Sequence, residues 1–100
     1  MNARDELLSL LNDREEIVCA YLNYNGFEKV LKANHSESEL TRFLNSLSFE
    51  YDHGYGIQEI EGTVWLKNNI WLERREYDGA EWWERKEYPE IPDLLTTKTN

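Results

Sequence analysis

His35 and His53 are the only histidines of this 100-residue chain, and Cys19 is its only cysteine. A zinc site built from cysteine and histidine therefore lacks ligands. One placement suits a general base: His53 in Asp52-His53-Gly54-Tyr55-Gly56, where Tyr51, Tyr55 and Glu59 could complete a small catalytic or ligand pocket. The same histidine, flanked by glycines, also reads as a turn or capping residue. Glu59 and Glu61 form an i, i+2 carboxylate pair, a spacing that more often gives a solvated strand face than an acid–base couple. No HExxH, phosphate-cradling glycine loop or nucleophile elbow is present. These residues predict a protein without catalysis, cofactor or metal.

Binding residues are far more abundant. The stretch Trp71–Pro89, WLERREYDGAEWWERKEYP, holds three tryptophans, two tyrosines and ten charged residues. Trp, Tyr and Arg dominate binding energy at protein interfaces. On a strand, Trp71, Glu73, Arg75 and Tyr77 face one side and Ile70, Leu72, Arg74 and Glu76 the other; Trp82 alternates with Trp83 in the same way. Both faces thus carry tryptophan beside charge. Two arrangements satisfy the pattern. Arg and Lys stems can lie across the rings of an ordinary sheet face, or the face left uncovered can dock a partner. The candidate protein-binding residues are Trp71, Arg75, Tyr77, Trp82, Trp83 and Arg85.

Charge narrows the partner. Twenty acids against eleven bases give a formal net charge of −9. Duplex nucleic acid carries a dense negative charge and calls for a basic patch, yet Arg74-Arg75 and Arg85-Lys86 are each flanked by glutamates. Direct nucleic-acid binding is not expected. Acidity suits a basic protein partner, mimicry of nucleic acid, or solubility alone. Cys19 sits in an apolar run, reads as a structural thiol and excludes an internal disulfide. The first residues lack a signal-peptide core, and no apolar stretch approaches a membrane span. A cytoplasmic protein with no membrane partner is the expectation.

The elements that must position these residues follow from spacing. Leu7, Leu8, Leu10 and Leu11 predict a short amphipathic helix over Ala3–Asn12. Ile17–Tyr24 and Phe27–Ala33 flank Asn25-Gly26 and predict a first hairpin. Ser36 and Glu39 fit a capping box, after which Leu40, Phe43, Leu44 and Leu47 share one helical face. Three strands follow, at about Ile57–Lys67, Ile70–Tyr77 and Glu81–Tyr88, with tight turns at Asn68-Asn69 and Asp78-Gly79. The register of the last hairpin stays open: a two-residue loop sets Glu76 opposite Glu81, and a longer one pairs Arg74 with Glu84 and Glu73 with Arg85. The fold class is α+β, one antiparallel sheet built from the first hairpin and the meander, with the capped helix and the short N-terminal helix packed on it. Residues 1–93 form a single domain and 94–100 a loose tail.

Tyr51–Pro92 resembles small phage- and prophage-encoded proteins. The resemblance rests on the Tyr51-Asp52-x-Gly54-Tyr55-Gly56 loop, the Gly62-Thr63-Val64-Trp65 strand, Glu76-Tyr77-Asp78-Gly79 followed by Glu81-Trp82-Trp83-Glu84, and Pro89-Glu90-Ile91-Pro92. Asn68-Asn69 stands where the pattern has Asp-Gly, a departure confined to the turn. The resemblance brings no catalytic residues. It implies a protein that binds one host protein, such as a nucleic-acid-binding restriction or CRISPR effector. The expected function is therefore a small acidic phage-type binding module that inhibits or redirects a host protein, most sharply as an anti-defence inhibitor. A self-associating assembly protein, forming a homodimer, is the alternative; a small enzyme or ligand pocket around His53 is the third reading.

Overall fold

Residues needing positive φ sit at each sharp turn of the sheet. In the computed structural model, which describes residues 1–11, 17–51 and 57–88, Asn25 (φ +49°) and Gly26 (φ +92°) join β1 (Ile17–Tyr24) to β2 (Phe27–Leu31). The Asn23 side chain accepts the Gly26 N–H at 2.9 Å and fixes this turn. β3 (Ile60–Leu66), β4 (Ile70–Tyr77) and β5 (Ala80–Glu87) form the meander. Strand order is β2-β1-β3-β4-β5, with every pairing antiparallel. The single-sheet α+β class expected from the sequence is what the chain adopts.

Turn lengths set which side chains meet. Asp78-Gly79 is a two-residue loop, so Tyr77 pairs with Ala80 and Glu76 with Glu81. Turn chemistry thus decides the open register, and the two glutamates avoid each other by turning apart. Glu76 accepts the Gly79 N–H at 2.9 Å in solvent, and Glu81 swings inward to Arg74. The β3–β4 connection differs from expectation. It is three residues, Lys67–Asn69, with Asn68 and Asn69 both at positive φ, and it pairs Leu66 with Ile70 and Trp65 with Trp71. A two-residue loop would set core-facing Leu66 opposite outward-facing Trp71, so the hydrophobic register selects the longer turn. β2 and β3 are shorter than the expected strands, and β5 starts one residue early.

Two helices cover one face. α1 (Ala3–Ser9) is capped by Asn2, whose side chain accepts the Asp5 N–H at 3.1 Å. α2 (Glu37–Asn45) has the predicted capping box, with Ser36 Oγ accepting the Glu39 N–H at 3.1 Å. The Ala3 and Arg4 amides donate to the carbonyls of Phe49 and Leu47, stitching the start of α1 to the exit of α2. Leu7, Leu47, Ile60, Val64 and Leu72 are fully buried between helices and sheet. Phe43 is buried with them, and Leu40 and Leu44 pack at the margin, as the helical stripe predicts. At the β1–β3 seam Gly62 (φ +141°) is obligatory, because a Cβ there would lie 2.1 Å from the Tyr21 carbonyl oxygen. Among the described residues no helix is long and apolar enough to cross a membrane. The expected tail 94–100 and most of the 51–56 loop, His53 and Tyr55 included, lie outside the described residues.

Candidate protein-binding surface

The face of the sheet turned away from the helices is where the aromatic strands show their rings. Cross-strand pairing lines up Cys19 with Trp65, Trp65 with Trp71 and Trp71 with Lys86. Tyr88 closes the row, its ring 4.9 Å from that of Trp71 and tilted by 48°. A β-bulge between Ile17 and Cys19 turns Val18 toward the same end. Val18, Cys19, Trp65, Trp71 and Tyr88, with the β3–β4 turn, line a shallow groove of about 550 Å³. Trp71 is held in place by its indole N–H, which donates to Glu73 at 2.8 Å. That bond holds the Glu73 carboxyl below the usual carboxylate range; partial desolvation opposes it, and Lys86 and Arg75 add to it.

Farther along the face Arg75 lies opposite Trp82 and pairs with Glu84 at 2.6 Å. Trp65 is 44 % exposed, Trp82 42 % and Tyr77 76 %. Tyr21 and Val30, which pair across β1 and β2, extend the exposed apolar surface toward the far edge. Contiguous exposed aromatics of this kind mark interaction sites more often than scattered single residues do.

Four of the six residues expected to bind, Trp71, Arg75, Tyr77 and Trp82, stand together on this face. Trp83 and Arg85 do not. Alternation along β5 sends both to the helix side, where Trp83 is buried at 6 % exposure while Arg85 stays exposed. Trp65 and Tyr88 join the surface without having been singled out from sequence. The parity of Trp65 against buried Val64 and Leu66 is the signal that could have found it.

The covered side of β4 and β5 holds a second concentration of polar groups. Arg74 Nε and Nη2 donate to Glu81 Oε1 at 3.1 and 2.8 Å, Nη1 donates to Glu6 Oε1 at 3.0 Å, and Nη2 to the Tyr51 hydroxyl at 2.7 Å. The Tyr51 hydroxyl in turn donates to Glu6 through a short hydrogen bond. Glu81 also accepts the backbone amides of Glu59 and Ile60, at 2.7 and 3.1 Å. The guanidinium carbon lies 5.1 Å from the ring centres of both Tyr51 and Trp83. Burial, then the bond to Glu6, drives the Tyr51 hydroxyl pKa well above its ordinary value. Burial alone would lower Arg74, but Tyr51, Glu81 and Glu6 overcome it and raise its pKa. These bonds tie α1, the segment after α2, β4 and β5 at one point.

Of the residues expected around His53, Tyr51 stands in this cluster, its hydroxyl bonded to Glu6 and Arg74. Glu59 also reaches the cluster, through its backbone amide. Among the described residues no three His, Cys, Asp or Glu side chains gather closely enough to hold a metal ion. No protein-family model, curated protein or solved structure matches this chain.

Proposed function

We propose that this chain is a non-catalytic protein-binding module whose open sheet face inhibits or redirects a host protein. The observation that carries the reading is the row of exposed Trp65, half-buried Trp71 and exposed Tyr88, with exposed Trp82 and Tyr77 farther along, on a face that neither helix covers. Such rings supply large apolar contact area at low conformational cost, and their desolvation in a complex gives hot-spot energies of about 2 kcal/mol or more each. Glu73 and Glu84 with Lys86 and Arg75 give the same face paired charges that orient a partner. The resemblance of Tyr51–Pro92 to phage-encoded proteins supports the sharper form: an anti-defence inhibitor of a nucleic-acid-binding effector, cytoplasmic like its target.

The test uses two readouts and one variant. Phage plating is measured on bacterial hosts carrying active restriction or CRISPR systems, with and without the protein, and tagged protein is used to capture partners from the same cells. The variant Trp65→Ser/Trp82→Ser strips the face without touching the core. The expected result is restored plating under one defence system and one stoichiometric partner, both lost in the variant while its far-UV spectrum is unchanged. Plating unaffected under every system removes the anti-defence form. A partner that survives the variant moves the interface off this face.

A further inference from the structure

We infer a second docking site, separate from the aromatic face: the free edge of β2 beside α2 takes an extended acidic peptide as a sixth strand. β2 is an outer strand of the sheet. Because Asn25-Gly26 is a two-residue turn, Phe27, Lys29 and Leu31 direct their backbone groups toward β1. Glu28 and Val30 therefore present N–H and C=O outward, ready for another strand. The edge does not simply meet solvent. Residues 28–32 form one wall of a groove of about 500 Å³, and Glu39, Arg42, Phe43 and Ser46, one stripe of α2, form the other. Consecutive residues can line a groove only if it runs along the strand's own backbone, since alternate side chains point to opposite faces.

Charge selects the occupant. The groove carries three cations, Lys29, Lys32 and Arg42, and two acids, Glu28 and Glu39. Both acids are engaged: Glu39 with Ser36 in the capping box, Glu28 with the Tyr21 hydroxyl at 3.4 Å. Among the described residues the three cations have no ion-pair partner. A net positive groove on a chain of formal charge −9 is a local reversal. Lysine on an edge strand also deters pairing with another basic or neutral edge. Carboxylates on an incoming strand turn that deterrent into attraction. A second copy of the chain fits less well, since it would bring Lys29 and Lys32 to the same seam twice.

The probe is a fluorescein-labelled peptide of alternating valine and glutamate, roughly eight residues long, enough to span β2 at ~3.3 Å per residue. Its anisotropy is read with the full chain at low and physiological salt, beside a valine–lysine counterpart. Saturable binding of the acidic peptide alone is expected, weakened by salt as the Debye length shortens. Lys29→Glu/Lys32→Glu should weaken it by about tenfold or more. Val30→Pro removes an outward amide that the sheet does not use, so the fold should stand and binding should vanish. Slowed amide exchange at Glu28 and Val30 places the peptide on the edge. Binding that survives Trp65→Ser/Trp82→Ser separates this site from the aromatic face. No saturation with either peptide, equal binding of the lysine peptide, or indifference to the lysine reversal overturns the inference. So does a dimer that Val30→Pro dissociates, which would assign the edge to a second copy. Should Val30→Pro fail to fold, the lysine reversal and the exchange pattern decide.

Discussion

On the covered side of β4 and β5 stand Arg74, Glu81 and Trp83; on the open side stand Arg75, Glu84 and Trp82. The residue types are the same, and one or three positions along a strand separate the members of each pair. Inside, the Arg74 and Glu81 side chains have no exposed surface, and their bonds reach α1 and the segment after α2. Outside, Arg75 and Glu84 meet at 2.6 Å with about half of each side chain in solvent. The inner ions are costly to bury and are satisfied from every direction, so losing one leaves the others stranded. The outer ions give up little hydration and gain little. Composition alone does not separate a structural clamp from a binding surface; the parity of the strand does.

The largest expected effect comes from breaking the inner cluster. Arg74→Met leaves Glu6 and Glu81 buried without a cation, a loss of about 3–5 kcal/mol. A domain of this size has roughly 5–15 kcal/mol to spend. Urea unfolding should therefore show a greatly lowered midpoint, or a chain unfolded in buffer. A midpoint within the error of the parent protein would mean that the cluster contributes nothing net.

The tryptophan pair sharpens the contrast at nearly the same scale. Trp83→Ala empties a buried site and should cost about 3–5 kcal/mol. Trp82→Ala, at 42 % exposure, should fall within about 1 kcal/mol of the parent. Partner binding should respond in the opposite order, with Trp82 the sensitive position. Equal stability losses would show Trp82 to be core in solution.

Most of this frame is legible in the residues themselves. Asn25-Gly26, Asp78-Gly79 and the Ser36–Glu39 box are local devices, and each acts where the spacing places it. The hydrophobic stripe of α2 and the alternation along β4 also read directly. What does not read is long-range pairing. Nothing near Glu6 announces that it meets Arg74, 68 positions away. Tyr51 looks like the start of a glycine-rich loop, and its partners Glu6 and Arg74 lie 45 and 23 positions away. Trp83 faces inward, and two adjacent tryptophans carry no mark of which one does. That depends on the β4–β5 register, and charge pairing and turn chemistry disagree about it at sequence level. Here turn chemistry prevails because Glu81 finds Arg74 diagonally and leaves Glu76 alone at the turn.

pH provides a smaller and more selective probe of the inner cluster. Burial raises the Tyr51 pKa above its unfolded value, which for a free tyrosine is about 10. Stability from this group is intact below pH ~10 and falls as the unfolded chain ionises while Tyr51 does not. Above that point the slope should approach about 1.4 kcal/mol per pH unit from this residue alone. Tyr51→Phe keeps the ring over Arg74 and removes the titration. Its stability at neutral pH should drop by about 1.5–3 kcal/mol, the scale of a hydrogen bond to a charged group, with a flatter alkaline limb. An alkaline limb as steep as the parent's would assign the titration to other groups.

The smallest expected effect tests the outer face. Arg75→Ala removes the partner of Glu84 and the cation opposite Trp82. Since both side chains are already about half in solvent, the loss in folding stability should be under about 1 kcal/mol and should shrink further in high salt. The same change removes an arginine from the centre of the proposed interface, where a desolvated contact is worth about 2 kcal/mol or more. Stability and binding therefore part company at this position, whereas at Arg74 they fall together because the surface goes with the fold. An Arg75→Ala protein that unfolds early would make the outer pair a second clamp. One that keeps both its midpoint and its partner would leave the aromatic row to carry binding alone, with the outer charges serving only to keep the face in solution.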